Sequence, residues 1–383
     1  MSSTSTNAIL SRWDFIKEWL RETIKGDIVI WTVVAVLALC SMLVVYSATG
    51  TLAYMKGNGY PEFFLFKHGV FTVVGLVLIW FLHRVNYTYF AGVSRIALFF
   101  SIPLLLMLKI PGLGVTEGGA TRWLDLGLGR FQPSDFARLA LITNLAAMLA
   151  KRQNREYNNQ IFFQMAIWIV AICSLLALSS FSTAILLGIS CFFMLYVGLV
   201  PPKYLVYILV VICLAGSLGL MLGQRKDTVN GRIERFWTGN EYQARQGFVA
   251  IANGGTFGKG VGKSHQRNYL TQAYSDFAYS IIIEEYGLIG GVFVLILYLI
   301  LLVRGVQNIQ QTTRPFGGLL SVGLTLSIVL QAFINMCVNV GLFPVTGQPL
   351  PLLSMGGTSV IFTCIGLGII LSVSRGEVDE SNL

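Results

Sequence analysis

The sequence predicts an all-α polytopic membrane protein with about ten transmembrane helices and a large extracytoplasmic loop between helices 7 and 8. Two properties of the chain lead to this fold class. Of its 383 residues, 55% are hydrophobic and only 12% are charged, and the mean hydropathy is +0.69. This is too apolar for a soluble domain, whose surface must be wetted. The apolar residues are also grouped in runs that match the thickness of a bilayer.

The predicted spans follow from the length of these runs. A hydrocarbon core of about 30 Å is crossed by roughly 17 to 25 helical residues. Runs near that length lie at residues 28–50, 64–82, 92–110, 135–150, 161–178, 180–200, 204–223, 277–303, 316–341 and 353–374. We therefore predict one membrane domain over residues 28–374.

The two ends of the chain are predicted to be cytoplasmic. Residues 1–27 form an interfacial segment in this prediction, because their apolar side chains repeat on one helical face. These side chains are Trp13, Ile16, Leu20 and Ile24. The first apolar run begins too late and is too long for a cleaved signal peptide. Residues 375–383 are the predicted cytoplasmic tail.

Orientation was inferred from Lys and Arg, which favour the cytoplasmic side in short connections. The long loop, residues 224–275, holds eight of them and cancels this bias when it is counted. Long loops follow the rule poorly, so we keep this loop outside. A basic outer loop suits an anionic ligand such as a phosphate-bearing lipid, although ordinary solvated cations would give the same charge. Its periodicity predicts short amphipathic helices.

The glycine-rich stretch "GGTFGKGVGKS", Gly254 to Ser264, resembles a nucleotide-binding loop but lacks its spacing. The phosphate-binding pattern requires glycine where Phe257 stands, and no buried strand precedes the stretch. We therefore expect neither a nucleotide nor a nucleic acid as ligand here. The six cysteines all fall in predicted helices without paired spacing, so no disulfide or metal framework is expected.

Three connections differ from the short loops. They are Ile110 to Ser134, Gln224 to Ser275, and Pro344 to Ser359. The third has three prolines, three glycines and no charge, which is typical of a re-entrant segment lining a cavity. All three would lie on the outer side, so the predicted topology places a functional site there.

Acidic residues surround the start of helix 8. Asp276 precedes the apolar run, and Glu284 and Glu285 follow eight and nine residues later. Asp276 is either a helix N-cap or a general base or cation ligand. A charge inside a span costs at least about 2.5 kcal/mol, so at least one glutamate needs a cavity or a basic partner. Glu284, about 80° from Asp276 around the helix, is the better site candidate. Glu285 is expected to hold helices together.

Basic and amide side chains complete the candidate set. The loop cations either bind a diphosphate through charge-assisted hydrogen bonds or face solvent; they are Arg122, Arg130, Lys259, Lys263 and Arg267. Trp123 either stacks on a sugar or belongs to the interfacial aromatic belt. Asp135 and Arg138 are expected to pair. Interhelical hydrogen bonds are predicted for side chains repeating every four residues, namely Gln331, Asn335 and Asn339.

Four segments carry a resemblance to a known family. They are "VYSAT" from Val45, "GGATRWLDLGLGRFQPSDFARLA", "ANGGTFGKGVGKSHQRNYLTQAYSDFAYSIIIEEYG" and "LFPVTGQPLPLLSMGGTS". With these motifs, nearly the whole chain resembles the SEDS family (shape, elongation, division and sporulation). The resemblance implies ten transmembrane helices and a peptidoglycan glycosyltransferase that polymerises lipid II into β-1,4 glycan at the outer membrane face. It also implies a class B penicillin-binding transpeptidase as partner, with other division or elongation proteins.

The resemblance further implies site residues. It gives catalytic positions at Asp276 and Glu284, and required positions around the fourth helix at Arg122, Trp123, Arg130 and Gln132. Some positions depart from the family pattern. "TQAYSDF" replaces the common "PEAHTDF", which leaves open any role for an acid or imidazole there; Met355 replaces a tyrosine; Asp135 and Arg138 replace Glu and Lys.

These residues define a mechanistic hypothesis. Asp276 accepts a proton from the acceptor hydroxyl of lipid II, while the polyprenyl diphosphate of the nascent glycan leaves among Arg122, Arg130 and Lys263. No cofactor is certain; if Mg²⁺ or Mn²⁺ takes part, Asp276 is its candidate ligand.

Other interpretations stay open. A lipid II flippase would need polar groups along a path through the midplane, and a scaffold would only recruit a partner. The motifs mix features of the division and elongation branches. We favour the division branch, with the protein at the septum in the bacterial cytoplasmic (inner) membrane, and the elongation branch is the alternative.

Overall fold

The computed structural model describes residues 25–50, 61–110, 112–117, 120–125, 130–152, 159–222 and 226–376. Most of the predicted interfacial segment 1–27 and of the predicted tail 375–383 lies outside these residues. Those two expectations therefore stay predictions.

Each of the ten predicted spans corresponds to a helix in the described chain. Before the long loop these are α1 Ile28–Ala48, α2 Pro61–Leu82, α3 Tyr89–Met107, α4 Pro133–Arg152, α5 Asn159–Ser179, α6 Phe181–Val197 and α7 Pro202–Leu222. After it come α10 Ala278–Gln311, α11 Pro315–Asn339 and α12 Thr358–Ser374. Among the described helices, six are long and apolar enough to cross a membrane. The predicted fold class is confirmed.

The structure adds a small sheet that the sequence analysis missed. It is antiparallel, has the order β1-β2-β3, and precedes α4 in the chain. Its strands are β1 Gly114–Glu117, β2 Ala120–Asp125 and β3 Arg130–Phe131. They are too short to show a reliable alternation of apolar and polar residues.

The long loop contains short helices, as its periodicity predicts: α8 Lys226–Thr238 and α9 Tyr242–Gly254. Helix α9 packs along the first turns of α10. A Cβ built on Gly247 would lie 3.1 Å from the Phe277 ring, and one on Gly254 only 2.0 Å from the carbonyl oxygen of Ile283. Glycine at residue 254 therefore lets the two backbones touch.

The glycine-rich loop that follows α9 completes a broken helix. Helix α10 is interrupted at Gly287, whose φ is 71° and ψ is −173°. The carbonyl oxygens of Glu284 and Glu285 accept hydrogen bonds from the backbone N–H groups of Lys259 and Gly260, both at 2.9 Å. Buried backbone acceptors must be paired, and here the loop supplies the donors.

The backbone N–H groups that follow the break in α10 also need acceptors. The N–H of Leu288 donates to the carbonyl oxygen of Gly255 at 2.9 Å. A Cβ on Gly258 would lie 2.2 Å from the Glu285 carbonyl oxygen. Gly254 and Gly258 thus allow close approach between backbones, while Gly255, Gly260 and Gly262 adopt positive φ, which favours glycine. These two needs account for a glycine-rich stretch without nucleotide-binding spacing.

The segment after α11 enters the bundle as a re-entrant loop. Gln331 Nε2 donates to the carbonyl oxygen of Pro349 at 2.9 Å, and the Tyr298 hydroxyl donates to that of Pro351. Gln331 lies eight residues before the end of α11, so the segment descends roughly 12 Å. Leu353 at its turn is 0% exposed. The re-entrant prediction is confirmed.

We expect Gly254→Ala to destabilise the protein by about 1–3 kcal/mol, because the new methyl group would overlap the α10 backbone. Gly69→Ala is the matched control, since a Cβ on this helical glycine meets nothing within 4 Å. Thermal unfolding of the purified proteins in detergent measures both. Equal melting temperatures for the two variants would contradict the proposed contact.

Candidate functional site

The three unusual connections meet at one end of the bundle, as the sequence predicted. Arg122 of β2 donates to the carbonyl oxygens of Gly347 and Thr346, the latter at 3.2 Å. Arg232 of α8 donates to the carbonyl oxygen of Val345 at 3.2 Å. Two guanidinium groups from separate connections therefore hold the re-entrant segment. A Cβ on Gly347 would lie 2.7 Å from Arg122 Nη1, so this approach requires glycine.

Asp276 lies at this meeting point with its backbone firmly held. It is 6% exposed, and its carbonyl oxygen accepts from Asn335 Nδ2 at 2.9 Å and Asn339 Nδ2 at 3.0 Å. Its Oδ1 accepts from the Ser275 hydroxyl at 3.0 Å. The N-cap of α10 is Phe277, so the N-cap interpretation of Asp276 is wrong. The carboxylate is not used to begin the helix.

Opposing effects set the protonation of Asp276. Burial raises the pKa of its carboxyl group, whereas the charge of Arg122, the hydrogen bond from Ser275 and the charge of Arg232 lower it. Burial likewise lowers the pKa of Arg122, and the charge of Asp276 counters that effect. The site therefore combines one desolvated carboxylate with two cations.

A cavity of about 290 Å³ lies beside the two arginines. Apolar side chains such as Phe181, Ile185 and Ile334 line it, together with Arg122 and Arg232. The re-entrant residues 344–346 form another wall. An apolar cavity with two guanidinium groups suits a ligand that has a hydrocarbon part and an anionic part.

Glu284 fastens the glycine-rich loop to α10. It is 0% exposed and accepts from Lys259 Nζ at 3.1 Å, from the N–H groups of His265 at 3.1 Å and Gln266 at 3.2 Å, and from the Ser264 hydroxyl. The predicted basic partner of a buried glutamate is thus Lys259. Donors from the loop surround both carboxylate oxygens, an arrangement that favours a positioning role for Glu284.

Glu285 joins α10 to α1, as predicted. Its Oε1 accepts from the hydroxyl of Ser47, near the end of α1, and from the N–H of Ser264 at 3.3 Å. Arg267 Nη1 donates to the carbonyl oxygen of Ser47 at 3.0 Å. The two adjacent glutamates therefore bind the same loop, and both accept from Ser264.

The other predicted site residues differ in orientation and burial. Trp123 follows Arg122 on β2, so the two side chains point to opposite faces of the sheet. Gln132 is buried, and its Nε2 donates to the Ser134 hydroxyl at 2.9 Å. Arg130 and Lys263 are exposed. Of the five predicted substrate-binding residues, only Arg122 acts electrostatically on Asp276 within the described part of the chain.

Two predicted sets of polar contacts are confirmed: the pairing of Asp135 with Arg138, and the hydrogen bonds made by the amides of α11. Arg138 Nη2 lies 3.6 Å from Asp135 Oδ1, and Arg138 also donates to Gln331. Asn335 donates to the carbonyl oxygen of Gln348 at 2.8 Å. The amide stripe on α11 therefore supports the re-entrant segment and Asp276 together.

Sequence reasoning missed Arg232. The residue lies in "GRIERFW", where a basic residue on an amphipathic helix gives no sign of which way it faces. Ser275, which donates to Asp276, was also missed, although a hydroxyl beside a candidate carboxylate is a usable signal.

The residues around Asp276 do not form a metal site by themselves. No group of three or more His, Cys, Asp or Glu side chains is gathered anywhere in the described ranges. The charged neighbours of Asp276 are Arg122 and Arg232, which oppose a cation electrostatically. No step of the chemistry is therefore assigned to a metal.

Comparison with known proteins identifies the family. A family model described as "Cell cycle protein", FTSW_RODA_SPOVE, matches residues 27–378. The chain belongs to the FtsW/RodA/SpoVE family. This is the family to which the sequence motifs pointed, and together with its apolar helices it makes the chain a multi-pass membrane protein.

Members of the FtsW/RodA/SpoVE family with curated names match along most of their length. The chain is 30% identical to "Probable peptidoglycan glycosyltransferase FtsW" of Geobacter sulfurreducens, covering 93% of this chain and 96% of that protein. It is 31% identical to "Stage V sporulation protein E" of Bacillus subtilis, covering 91% and 97%.

Solved structures show the same FtsW/RodA/SpoVE architecture. The rod shape determining protein RodA of Thermus thermophilus gives a TM-score of 0.68 at 26% identity, covering 94% of this chain and 98% of that chain. A chain from a peptidoglycan synthase complex, studied for the coordination of polymerization and crosslinking, gives 0.71 at 25% identity, covering 91% and 98%.

We expect Lys259→Met to destabilise the protein by about 1.5–3 kcal/mol, because it removes a charged hydrogen-bond donor from buried Glu284. Lys263→Met is the matched control: it lies on the same loop but is exposed and has no bond to Glu284. Thermal unfolding in detergent distinguishes the two. A Lys259→Met protein as stable as the control would show that the ion pair does not fasten the loop.

Proposed function

We propose that this FtsW/RodA/SpoVE member is a peptidoglycan glycosyltransferase that polymerises lipid II into β-1,4 glycan strands at the outer face of the membrane. The observation that carries the proposal is the buried carboxylate of Asp276 within the electrostatic reach of Arg122 and Arg232, which both line an apolar cavity. The names of the curated relatives support the reaction class. Asp276, and with it this end of the bundle, faces outward in the proposal.

Asp276 is the general base of the proposed reaction. Its ionised carboxylate takes the proton of the acceptor sugar hydroxyl while that oxygen attacks the anomeric carbon of the growing strand. The new carbon–oxygen bond forms as the bond to the diphosphate breaks, and the polyprenyl diphosphate leaves with the bonding electrons. Positioned proton transfer of this kind contributes about 10²–10⁴ in rate.

The two arginines stabilise the leaving group. Charge accumulates on the diphosphate as its bond to the sugar breaks, and Arg122 and Arg232 meet it with preorganised guanidinium groups. The first isoprene units enter the adjacent cavity among Phe181 and Ile185. Both arginines already hold the re-entrant segment, so their orientation is fixed before substrate binds.

The remaining predicted residues act farther along the substrate. Trp123, Arg130, Gln132 and Lys263 contact sugar or phosphate groups of the two large lipid-linked substrates in this proposal. Glu284 contributes indirectly, because it holds the loop on which Lys263 is carried.

We also infer a partner and a place of action. The similarity to a chain of a peptidoglycan synthase complex supports a class B penicillin-binding transpeptidase as partner. The relatives named FtsW support septal wall synthesis during division, with other division proteins assembled around it. Side-wall synthesis is the alternative, supported by the structural likeness to RodA.

We expect Asp276→Asn to lower lipid II polymerisation at least about 10²-fold, because an amide cannot accept the proton. The assay uses purified full-length protein with its transpeptidase partner, and glycan length is followed on gels. Glu234→Gln, an exposed acid on α8, should remain fully active. A fully active Asp276→Asn protein would rule out the base. Lipid II crossing vesicle membranes without any polymer would favour a flippase.

The dependence of the polymerisation rate on pH tests the proposed electrostatic effect of Arg232 on Asp276. The base form of Asp276 exists only above its raised pKa, so the rate should rise as pH increases through that value. Arg232→Gln removes a charge that lowers this pKa, and the acidic limb of kcat/KM should therefore move to higher pH.

The control for this experiment is Arg235→Gln, on the same helix. Arg235 lies 3.7 Å from Glu241 and should leave the limb in place. An acidic limb that stays fixed or moves to lower pH in Arg232→Gln would contradict the arrangement.

A further inference from the structure

A second polar cavity lies between α3, α4 and α5, away from the site described above. Its volume is about 380 Å³. Two cations and two amides line it, together with apolar residues such as Met148 and Ile161. The polar set is Arg95, Asn144, Lys151 and Gln164.

This cavity is at the opposite end of the bundle from Asp276. Helix α4 starts where Gln132 N–H donates to the Thr358 hydroxyl at 3.3 Å, next to the re-entrant segment, and ends at Arg152. Lys151 therefore lies about 27 Å along the helix from that start. Arg95 lies six residues after the start of α3, roughly 9 Å inside it. In the predicted orientation this is the cytoplasmic leaflet.

The polar groups in the cavity lack partners in the protein. Within the described residues, none of the four side chains has a hydrogen bond or an ion pair. Asn144 is only 6% exposed and lines the cavity. Arg95, Lys151 and Gln164 are exposed, so their polar ends are open to a ligand.

Three other cations at this end of the bundle already have partners in the protein. Arg304 lies 3.3 Å from Asp27, and Arg375 donates to the carbonyl oxygen of Arg84 at 3.0 Å. The Arg84 guanidinium lies 3.9 Å from the centre of the Trp80 ring. The pair Arg95 and Lys151 is therefore set up for an anion from outside the described protein.

We propose that this cavity binds the phosphate group of an anionic membrane lipid. Arg95 offers a forked donor and Lys151 a point charge for the phosphate, and the amides of Asn144 and Gln164 donate to further oxygens. Basic cavities between transmembrane helices on the cytoplasmic side are typical sites for anionic lipid head groups.

The surroundings favour a lipid over a soluble anion. On α3, Arg95 is flanked by Val93 and Ile96, whose side chains are 58% and 62% exposed. In a span these side chains face acyl chains. A phosphate held by Arg95 would thus have its hydrocarbon chains beside an apolar surface. The source is either a glycerophospholipid or a polyprenyl phosphate, which share this chemistry.

The charge arm of the test uses Arg95→Gln/Lys151→Gln in the full chain. Native mass spectrometry in detergent measures bound phosphatidylglycerol, phosphatidylcholine and a polyprenyl phosphate. Wild type should retain the anionic lipids in preference to phosphatidylcholine, and the double variant should need about tenfold more to reach the same occupancy. Arg84→Gln/Arg375→Gln removes two charges at the same end and should bind like wild type.

The space-filling arm uses Gly92→Leu, which changes no charge. A Cβ on Gly92 meets nothing within 4 Å, so the larger side chain enters the cavity without overlap. Gly69→Leu on α2, also open at its Cβ, is the control. Gly92→Leu should lose anionic lipid as the double variant does, and the lipid that is lost identifies the source.

Two results would overturn the proposal. One is equal anionic-lipid occupancy in wild type, Arg95→Gln/Lys151→Gln and Gly92→Leu, with melting temperatures showing that all are folded. The other is displacement of the lipid by millimolar inorganic phosphate, which would point to a soluble anion. Because the readout is lipid binding, it is independent of glycan polymerisation.

Discussion

The interruption of α10 at Gly287 is the constraint on which this end of the molecule depends. A helix broken near a membrane leaves backbone donors and acceptors that no water can satisfy. The glycine-rich loop supplies their partners, since Glu284 and Glu285 accept from the N–H groups of Lys259 and Gly260. The two glutamate side chains then bind the same loop. Backbone and side-chain bonds thus fix the loop, α9 and α1 around one bend.

The carboxylate that we propose as the general base is positioned by a second, separate set of contacts. The main chain of Asp276 is held by two asparagines of α11, while its carboxylate accepts only from Ser275 among the described residues. The main chain of Asp276 is therefore anchored by α11, while its carboxylate is left to other contacts. Asn335 and Gln331 also donate to the re-entrant segment, to which Arg122 and Arg232 donate as well. The two arginines and Asp276 are therefore positioned by the same amide side chains of α11.

The sequence was sufficient for the features that depend on length and hydrophobicity. Ten apolar runs gave ten helices, and the uncharged, proline-rich segment gave the re-entrant loop. Which side chains contact one another in the folded chain was harder to predict. A residue before a helix is usually its cap, but here the turn ending at Phe277 takes that place and leaves Asp276 free of the role. Arg232 could not be chosen among eight loop cations, because α8 could turn any of its faces toward the site. The purpose of the glycines depended on a helix break that no periodicity reveals.

Hydrogen bonds between residues far apart in the sequence also bear on when this end of the bundle can fold during synthesis. Arg122 bonds to Gly347, 225 residues later in the chain, and Ser354 donates to the carbonyl oxygen of Ser275 at 2.6 Å. A ribosome delivers these partners to the membrane at very different times. Until the re-entrant segment is synthesised, Arg122 of β2 and the amides of Gln331 and Asn335 lack the acceptors that this segment supplies. Completion of this end of the bundle is therefore a late event in biogenesis, and the surroundings of Asp276 are not assembled until synthesis is nearly finished.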